Sequence, residues 1–260
     1  MPSPKPKPQP AAKPAPVALP AKPPAPAPAI AVAPKKAPPT IVLPPPAQAP
    51  AATSASTSMP GIGGHLQVIA GTGQAIDPAE VAEAVVYFVP DGGAPHPKAG
   101  QFQIFTRDKQ FDPTSTVVPL GSTINFPNKD ELLHNVFSVS PGAEFDLGLY
   151  AEGKSAAYTF AKPGVVTVNC NVHPMMQVSV LVLDTPFFTH PSRAGEFQLS
   201  GLPAGPGKLV VWHPRAGMQT FPLLSSATSG LALQITLSKP RVAPHLNKER
   251  KPYLTAGIGK

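Results

Sequence analysis

The chain has 260 residues, 39 prolines, one cysteine and a formal net charge of +7. A single cysteine excludes an intramolecular disulfide and gives no vote on redox compartment. The charge is unevenly held, with six lysines and no acid in residues 1–60, a net +5 in 239–260 and a net −4 in 61–238, which argues against a folded basic surface for nucleic acid.

Residues 1–61 form a Pro/Ala/Lys-rich segment holding about half of the prolines. Such a composition buries too little apolar surface to offset ordering entropy, so it is expected to be a disordered spacer stiffened toward polyproline II. No secretory signal is visible, because Met1-Pro-Ser-Pro-Lys5 lacks an apolar core and Ala29-Ile-Ala-Val-Ala33 is too short to be one. No run is long enough to span a bilayer.

From residue 62 the chain reads as all-β. Short apolar or alternating runs separated by Gly, Pro, Asn and Asp predict strands at 66–69, 84–89, 102–106, 122–126, 135–139, 156–160, 165–169 and 177–183. Pro78–Ala84 is long enough for one helical turn. A second β-unit follows Asp184-Thr-Pro186, with strands near 196–199, 208–212 and 231–237. The expected organisation is a sandwich over 62–184, a smaller β-module over 185–238 and a basic tail over 239–260. Residues 62–93, with Val85-Val-Tyr-Phe-Val89, suit either β-unit, and the second choice would make the module discontinuous.

The chemistry concentrates in Cys170-Asn-Val-His173-Pro-Met-Met176, which follows the apolar run Gly164–Asn169. A fourth metal-capable side chain, His134, opens the alternating stretch Asn135-Val-Phe-Ser-Val139. A thiolate and two imidazoles suit copper, and a thioether favours its softer cuprous state; Cys, two His and a weak axial Met form a blue-copper ligand set. Three ligands on one tight loop need short intervals, whereas the fourth can arrive from a neighbouring strand. Structural zinc sites use several Cys/His ligands and avoid thioether. Met175 and Met176 both compete for the axial place. His96, His190 and His213 each precede proline, and His65 and His245 lie near the ends of the core, none at ligand spacing to another.

The C-x2-H-x2-M pattern downstream of an H-N pair resembles the cupredoxins, with the short ligand loop of the amicyanin type. Gly121-Ser-Thr-Ile-Asn-Phe-Pro-Asn128 resembles the strand entering the first His, and Phe160-Ala-Lys-Pro-Gly164-Val-Val resembles the turn leading to the Cys. The core is similar to bacterial methylamine-utilization-type proteins, in which a cupredoxin precedes a carboxypeptidase-regulatory-like module. Phe197-Gln-Leu-Ser-Gly-Leu-Pro-Ala-Gly205 and Val210-Val-Trp-His-Pro214 carry that second resemblance.

The resemblance implies a Greek-key cupredoxin β-sandwich plus a small transthyretin/carboxypeptidase-regulatory-like β-sandwich. It implies one copper ion, Cu(I)/Cu(II), held by His134, Cys170, His173 and Met176. Asn135 would tie the two ligand segments together, and Pro174 and Met175 would form a docking patch beside His173. The expected function is that of a type 1 copper protein passing single electrons between redox partner proteins; the alternative is copper storage, delivery or stress protection. An enzyme is not expected: oxidase chemistry needs H-x-H pairs and a hydrolase elbow needs G-x-S-x-G, and the chain has neither. A copper–thiolate site behind a proline-rich spacer points to the periplasm, and so to a signal or anchor upstream. The basic tails suit weak contacts with the cell envelope.

Overall fold

The computed structural model describes residues 61–71 and 76–253. The expected spacer at 1–60 and the end of the tail at 254–260 lie outside the described residues. In chain order the elements are β1 (Ile62–Ala70), α1 (Pro78–Glu83), β2 (Val85–Pro90), β3 (Gln101–Gln103), β4 (Phe105–Arg107), β5 (Gln110–Asp112), β6 (Ser115–Pro119), β7 (Thr123–Pro127), β8 (His134–Ser140) and β9 (Ala143–Tyr150). They continue with β10 (Ser155–Thr159), β11 (Gly164–Asn169), β12 (Gln177–Leu183), β13 (Phe188–Thr189), β14 (Glu196–Leu199), β15 (Gly207–His213), β16 (Gly217–Leu223) and β17 (Thr228–Leu237). The fold is all-β, as the sequence predicts. Among the described residues no helix is long and apolar enough to cross a membrane.

The first sandwich uses β3 to β12. A five-stranded sheet runs β6-β12-β11-β8-β9 and a three-stranded sheet runs β10-β7-β3. Period-two side-chain alternation sends Ile124 and Phe126 of β7 inward to meet Val136, Val166, Val168, Val178 and Val180 from the larger sheet, all in one buried cluster. Each such side chain, fully buried, contributes about 1.5–3 kcal/mol. The predicted run 102–106 is broken at Ile104 into β3, which pairs with β7, and β4, which forms a separate hairpin with β5.

Strands β1 and β2 take no part in that sandwich. β1 lies between β14 and β17, and β2 lies between β13 and β15, in the sheets β14-β1-β17 and β13-β2-β15-β16. The first sandwich therefore begins at β3 and not at residue 62, and it is inserted between β2 and β13. The reason is visible in β2, whose Val85-Val-Tyr-Phe-Val89 is apolar on both faces. Val86 and Phe88 enter the second sandwich's own core with Leu209 and Val211. Val85 and Tyr87 point the other way, into a cluster with Val210, Trp212 and Leu181 and Leu183 of β12. A strand covered on both faces reads as an unbroken apolar run. Strands β2, β12 and β15 each divide their side chains between a core and this seam, which packs the two sandwiches sheet against sheet.

Helix α1 fits its sequence: Asp77 caps it by accepting from the Ala79 N–H at 2.8 Å, and Pro78 occupies the first turn, where no intrahelical donor is needed. Its buried Glu80 is paired by Arg215 and by Arg241, and Arg241 also reaches Glu83 at 3.0 Å. His213, wholly buried at the end of β15, accepts the Arg215 N–H on Nδ1 at 3.0 Å. The ring proton therefore sits on Nε2, which donates to the Glu80 carbonyl at 3.1 Å.

Burial, opposed by the Glu80 carbonyl and the charges of Glu83 and Glu80, holds the His213 ring below the usual imidazole pKa. The fold thus keeps the neutral form, while the unfolded chain takes up the proton first as pH falls. This contribution to stability is complete above about pH 6.5 and declines as pH drops toward the lowered folded value. His213→Gln retains a donor for Glu80 and is expected to flatten that decline. Urea midpoints followed from about pH 7.5 to 5.5 check this; identical pH dependence in the two proteins would refute it.

Residues 239–253 do not trail away as the basic-tail reading expected. The Lys239 N–H donates to the Arg215 carbonyl, Arg241 pairs with α1, and Lys248 Nζ meets Asp146 at 2.7 Å. The physical cause is charge complementarity: the folded part is acidic overall, and the tail's cations find carboxylates on it.

Candidate metal centre

Strands β11 and β12 form an antiparallel hairpin whose last pair is Asn169 with Gln177, so residues 170–176 are the loop. The Cys170 N–H donates to the Met176 carbonyl at 3.1 Å, and the Met176 N–H donates to the His173 carbonyl at 2.9 Å. These bonds fold the loop onto itself and bring residues 170, 173 and 176 together. His134 begins β8, which pairs with β11 at Phe137 and Asn169, and so arrives beside Cys170 despite its distance in sequence.

Three ligand atoms converge. Cys170 Sγ lies 3.8 Å from His134 Nδ1 and 3.8 Å from His173 Nδ1, and the two Nδ1 atoms are 3.2 Å apart. The point equidistant from the three corners of that triangle is roughly 2.1 Å from each, matching the roughly 2.0–2.3 Å of metal–imidazole and metal–thiolate bonds. Among the described residues this is the group of His, Cys and carboxylate side chains able to hold a metal ion. Cys170, His134 and Met176 are wholly buried, while His173 is only partly so. Burial and the neighbouring His134 and Lys109 charges lower the His173 pKa, which keeps the ring neutral and able to ligate.

The surroundings fix the rings. His134 Nε2 contacts Asp130 Oδ2 at 2.7 Å, which commits Nδ1 to the centre. Asp130 also accepts the backbone N–H groups of Asp108 and Lys109 at 2.7 and 3.0 Å. Burial alone would raise the Asp130 carboxyl, but those two N–H groups and the His134 ring hold it below the usual carboxylate range. Asp108 and Lys109 both have positive φ, 54° and 55°, in the tight β4–β5 turn. The carboxylate thus anchors a hairpin as well as a ligand.

Asn135 departs from its expected role. Its amide donates to Asp146 Oδ1 at 2.6 Å and to the Gly148 carbonyl at 3.0 Å, both on β9, and not to the Cys170 loop. The register against β9 is irregular between Asn135 and Phe137, next to the strand residue Gly148, whose φ is +77°, and this accounts for the amide's partners on β9. Met176 sits inside the same buried cluster as Cys170, whereas Met175 is 71% exposed and Pro174 is exposed beside it. Val172, Leu132 and Leu133, neighbours of the two imidazoles in sequence, are exposed as well.

Three participants carry no signal in the local sequence. Asp130 is one turn of loop before His134. Tyr150 stands directly opposite His134 in the β8–β9 register, and its hydroxyl is buried without a partner. Tyr253 donates to the Cys170 carbonyl at 3.0 Å, and burial with the nearby Cys170 pushes its phenol up to about 12, so it stays a donor. His245 contacts Tyr253 at 3.1 Å and lies against the loop without entering the ligand triangle.

No protein-family model matches the chain, and no curated protein matches it. Among solved structures it is similar to the novel purple cupredoxin from Nitrosopumilus maritimus, at 24% identity over 33% of this chain and 100% of that one, with a TM-score of 0.28. It is similar to an oxidized methionine-to-leucine variant of amicyanin at 20% identity, over 32% of this chain and 81% of that one, with a TM-score of 0.30. A Cu(I) methionine-to-alanine variant of amicyanin is similar at 19% identity, over 38% and 98% of the two chains, with a TM-score of 0.31.

Proposed function

We propose that this chain is a mononuclear copper protein of the cupredoxin kind, carrying single electrons between redox partner proteins in the periplasm, as a carrier and not an enzyme. The observation that supports this most is the triangle of Cys170 Sγ, His134 Nδ1 and His173 Nδ1, with Met176 buried in the same loop. Bound copper supplies a one-electron couple between its cuprous and cupric states. Cys170 would give copper its thiolate, His134 and His173 their imidazoles, and Met176, buried in the same cluster, a thioether. Asp130 holds His134 in one tautomer, and the β8 and β11–β12 frame limits how far the ligands move when charge changes. His173 is the ligand nearest solvent, and Pro174 and Met175 give a partner an apolar surface beside it.

Storage or delivery is the competing reading. Delivery calls for ligands that can be handed over, and the complete burial of Cys170, His134 and Met176 favours retention instead. The test is to add Cu(II) to the purified full chain and record its visible and paramagnetic-resonance spectra. The expected result is an intense thiolate-to-copper band that bleaches on reduction and returns on oxidation, with copper retained against a cuprous chelator. A colourless, weakly held cupric ion would overturn the copper reading, and rapid loss to the chelator after reduction would replace the carrier with a delivery protein.

A further inference from the structure

The ligand loop is held from outside by a segment that the first sandwich does not own. After β17 the chain is guided by Arg215, whose carbonyl accepts from Lys239 N–H and whose Nε donates to the Lys239 carbonyl at 2.9 Å. It then reaches the hairpin that carries the ligands. The Ala243 N–H donates to Gln177 Oε1 at 3.1 Å, one residue beyond Met176. The Lys248 N–H donates to Asn171 Oδ1 at 3.0 Å, one residue beyond Cys170. Finally the Tyr253 hydroxyl donates to the carbonyl of Cys170 itself at 3.0 Å. His245 contacts that hydroxyl at 3.1 Å, with its ring edge-on to Tyr253, and so fixes where the phenol points.

We infer that residues 243–253 are a strap that the second sandwich lays across the metal-ligand loop, with Tyr253 as the positioning residue for Cys170. The strap's meaning for a metal rests on the copper reading, but the strap itself is a matter of hydrogen bonds to residues 170, 171 and 177. Its chemistry is direct. A loop of seven residues between two strands has few bonds of its own, and Cys170 must present its sulfur while its peptide group stays still. A phenol O–H on that carbonyl fixes the peptide plane and holds a polar donor against the backbone of the cysteine itself. Such outer contacts orient ligands and tune a bound metal. The second sandwich thereby contributes residues that complete a site lying in the first.

Because Cys170 is the chain's only cysteine, its reactivity reports the strap without any metal. The rate at which a disulfide reagent modifies Cys170 is to be measured in the metal-free full chain, in Tyr253→Phe and in a chain ending at Val242. Loss of one hydrogen bond of about 1 kcal/mol corresponds to roughly fivefold faster modification in Tyr253→Phe. The shortened chain should react faster still, with far-UV circular dichroism unchanged in both. In the copper-loaded protein, Tyr253→Phe should also lower the reduction potential, because the cysteine's carbonyl loses its donor and the site becomes more negative. If all three proteins react at one rate, the strap is refuted, whatever the copper spectrum shows. If the wild type never develops the thiolate-to-copper band while the rates still differ, the metal reading fails and the strap stands.

Discussion

In the Cys170→Ser variant, the intense visible band of the copper-loaded protein is expected to vanish, and copper affinity to fall by more than about 100-fold. Losing an outer contact to a ligand already costs about 10–100-fold, and here the thiolate itself is removed. Serine exchanges one buried sulfur for a smaller oxygen and removes no carbon from the cluster shared with Val168 and Val178, so the fold should persist. His134 and His173 remain 3.2 Å apart at their Nδ1 atoms and can still hold a cupric ion weakly. Cu(II) titration followed by absorption and paramagnetic resonance makes the comparison. A serine variant that stayed intensely coloured would show that the thiolate is not the ligand.

Trp212→Ala is expected to destabilise the protein by about 3–5 kcal/mol, the range for emptying a large aromatic site. Trp212 is 2% exposed and packs in the seam with Val85, Tyr87 and Val210 of its own sheet and Leu181 and Leu183 of the facing one. Its ring belongs to neither sandwich core, so the cost measures how much each sandwich supports the other. Denaturant midpoints by far-UV circular dichroism are the suitable measurement, since the variant lacks the chain's only tryptophan. A loss below about 1 kcal/mol would mean that the seam collapses around the gap or contributes little.

What the sequence disclosed, and what it hid, follows from the range of the interactions. Strands such as β11, β12 and β15 announced themselves because they bury apolar side chains along their length. β16 did not, since its Pro222 reads as a strand breaker; it is an edge strand bonded only to β15, where a proline is tolerated. β6 is likewise a short edge strand ending at Pro119. The ligand loop was legible because its spacing is local chemistry. Asp130, Tyr150 and Tyr253 were not, because each reaches the site by register or packing that no local pattern records. Asn135 follows the same rule: an irregularity in strand pairing, invisible in the local pattern, directs its amide to β9.

The insertion of one sandwich between β2 and β13 carries a consequence for how the polypeptide is made. β1 leaves the ribosome before the other described strands, yet its parallel neighbour β17 and its antiparallel neighbour β14 emerge after the whole inserted unit. The inserted unit has all its strands in hand by β12 and can assemble while the rest is still being synthesised. β1 and β2, apolar and unpaired, must wait, with open strand edges of the sort that recruit other chains. Vectorial synthesis thus places the aggregation hazard in the earliest strands, and the slowest pairing in the sheet that joins the two ends of the described chain.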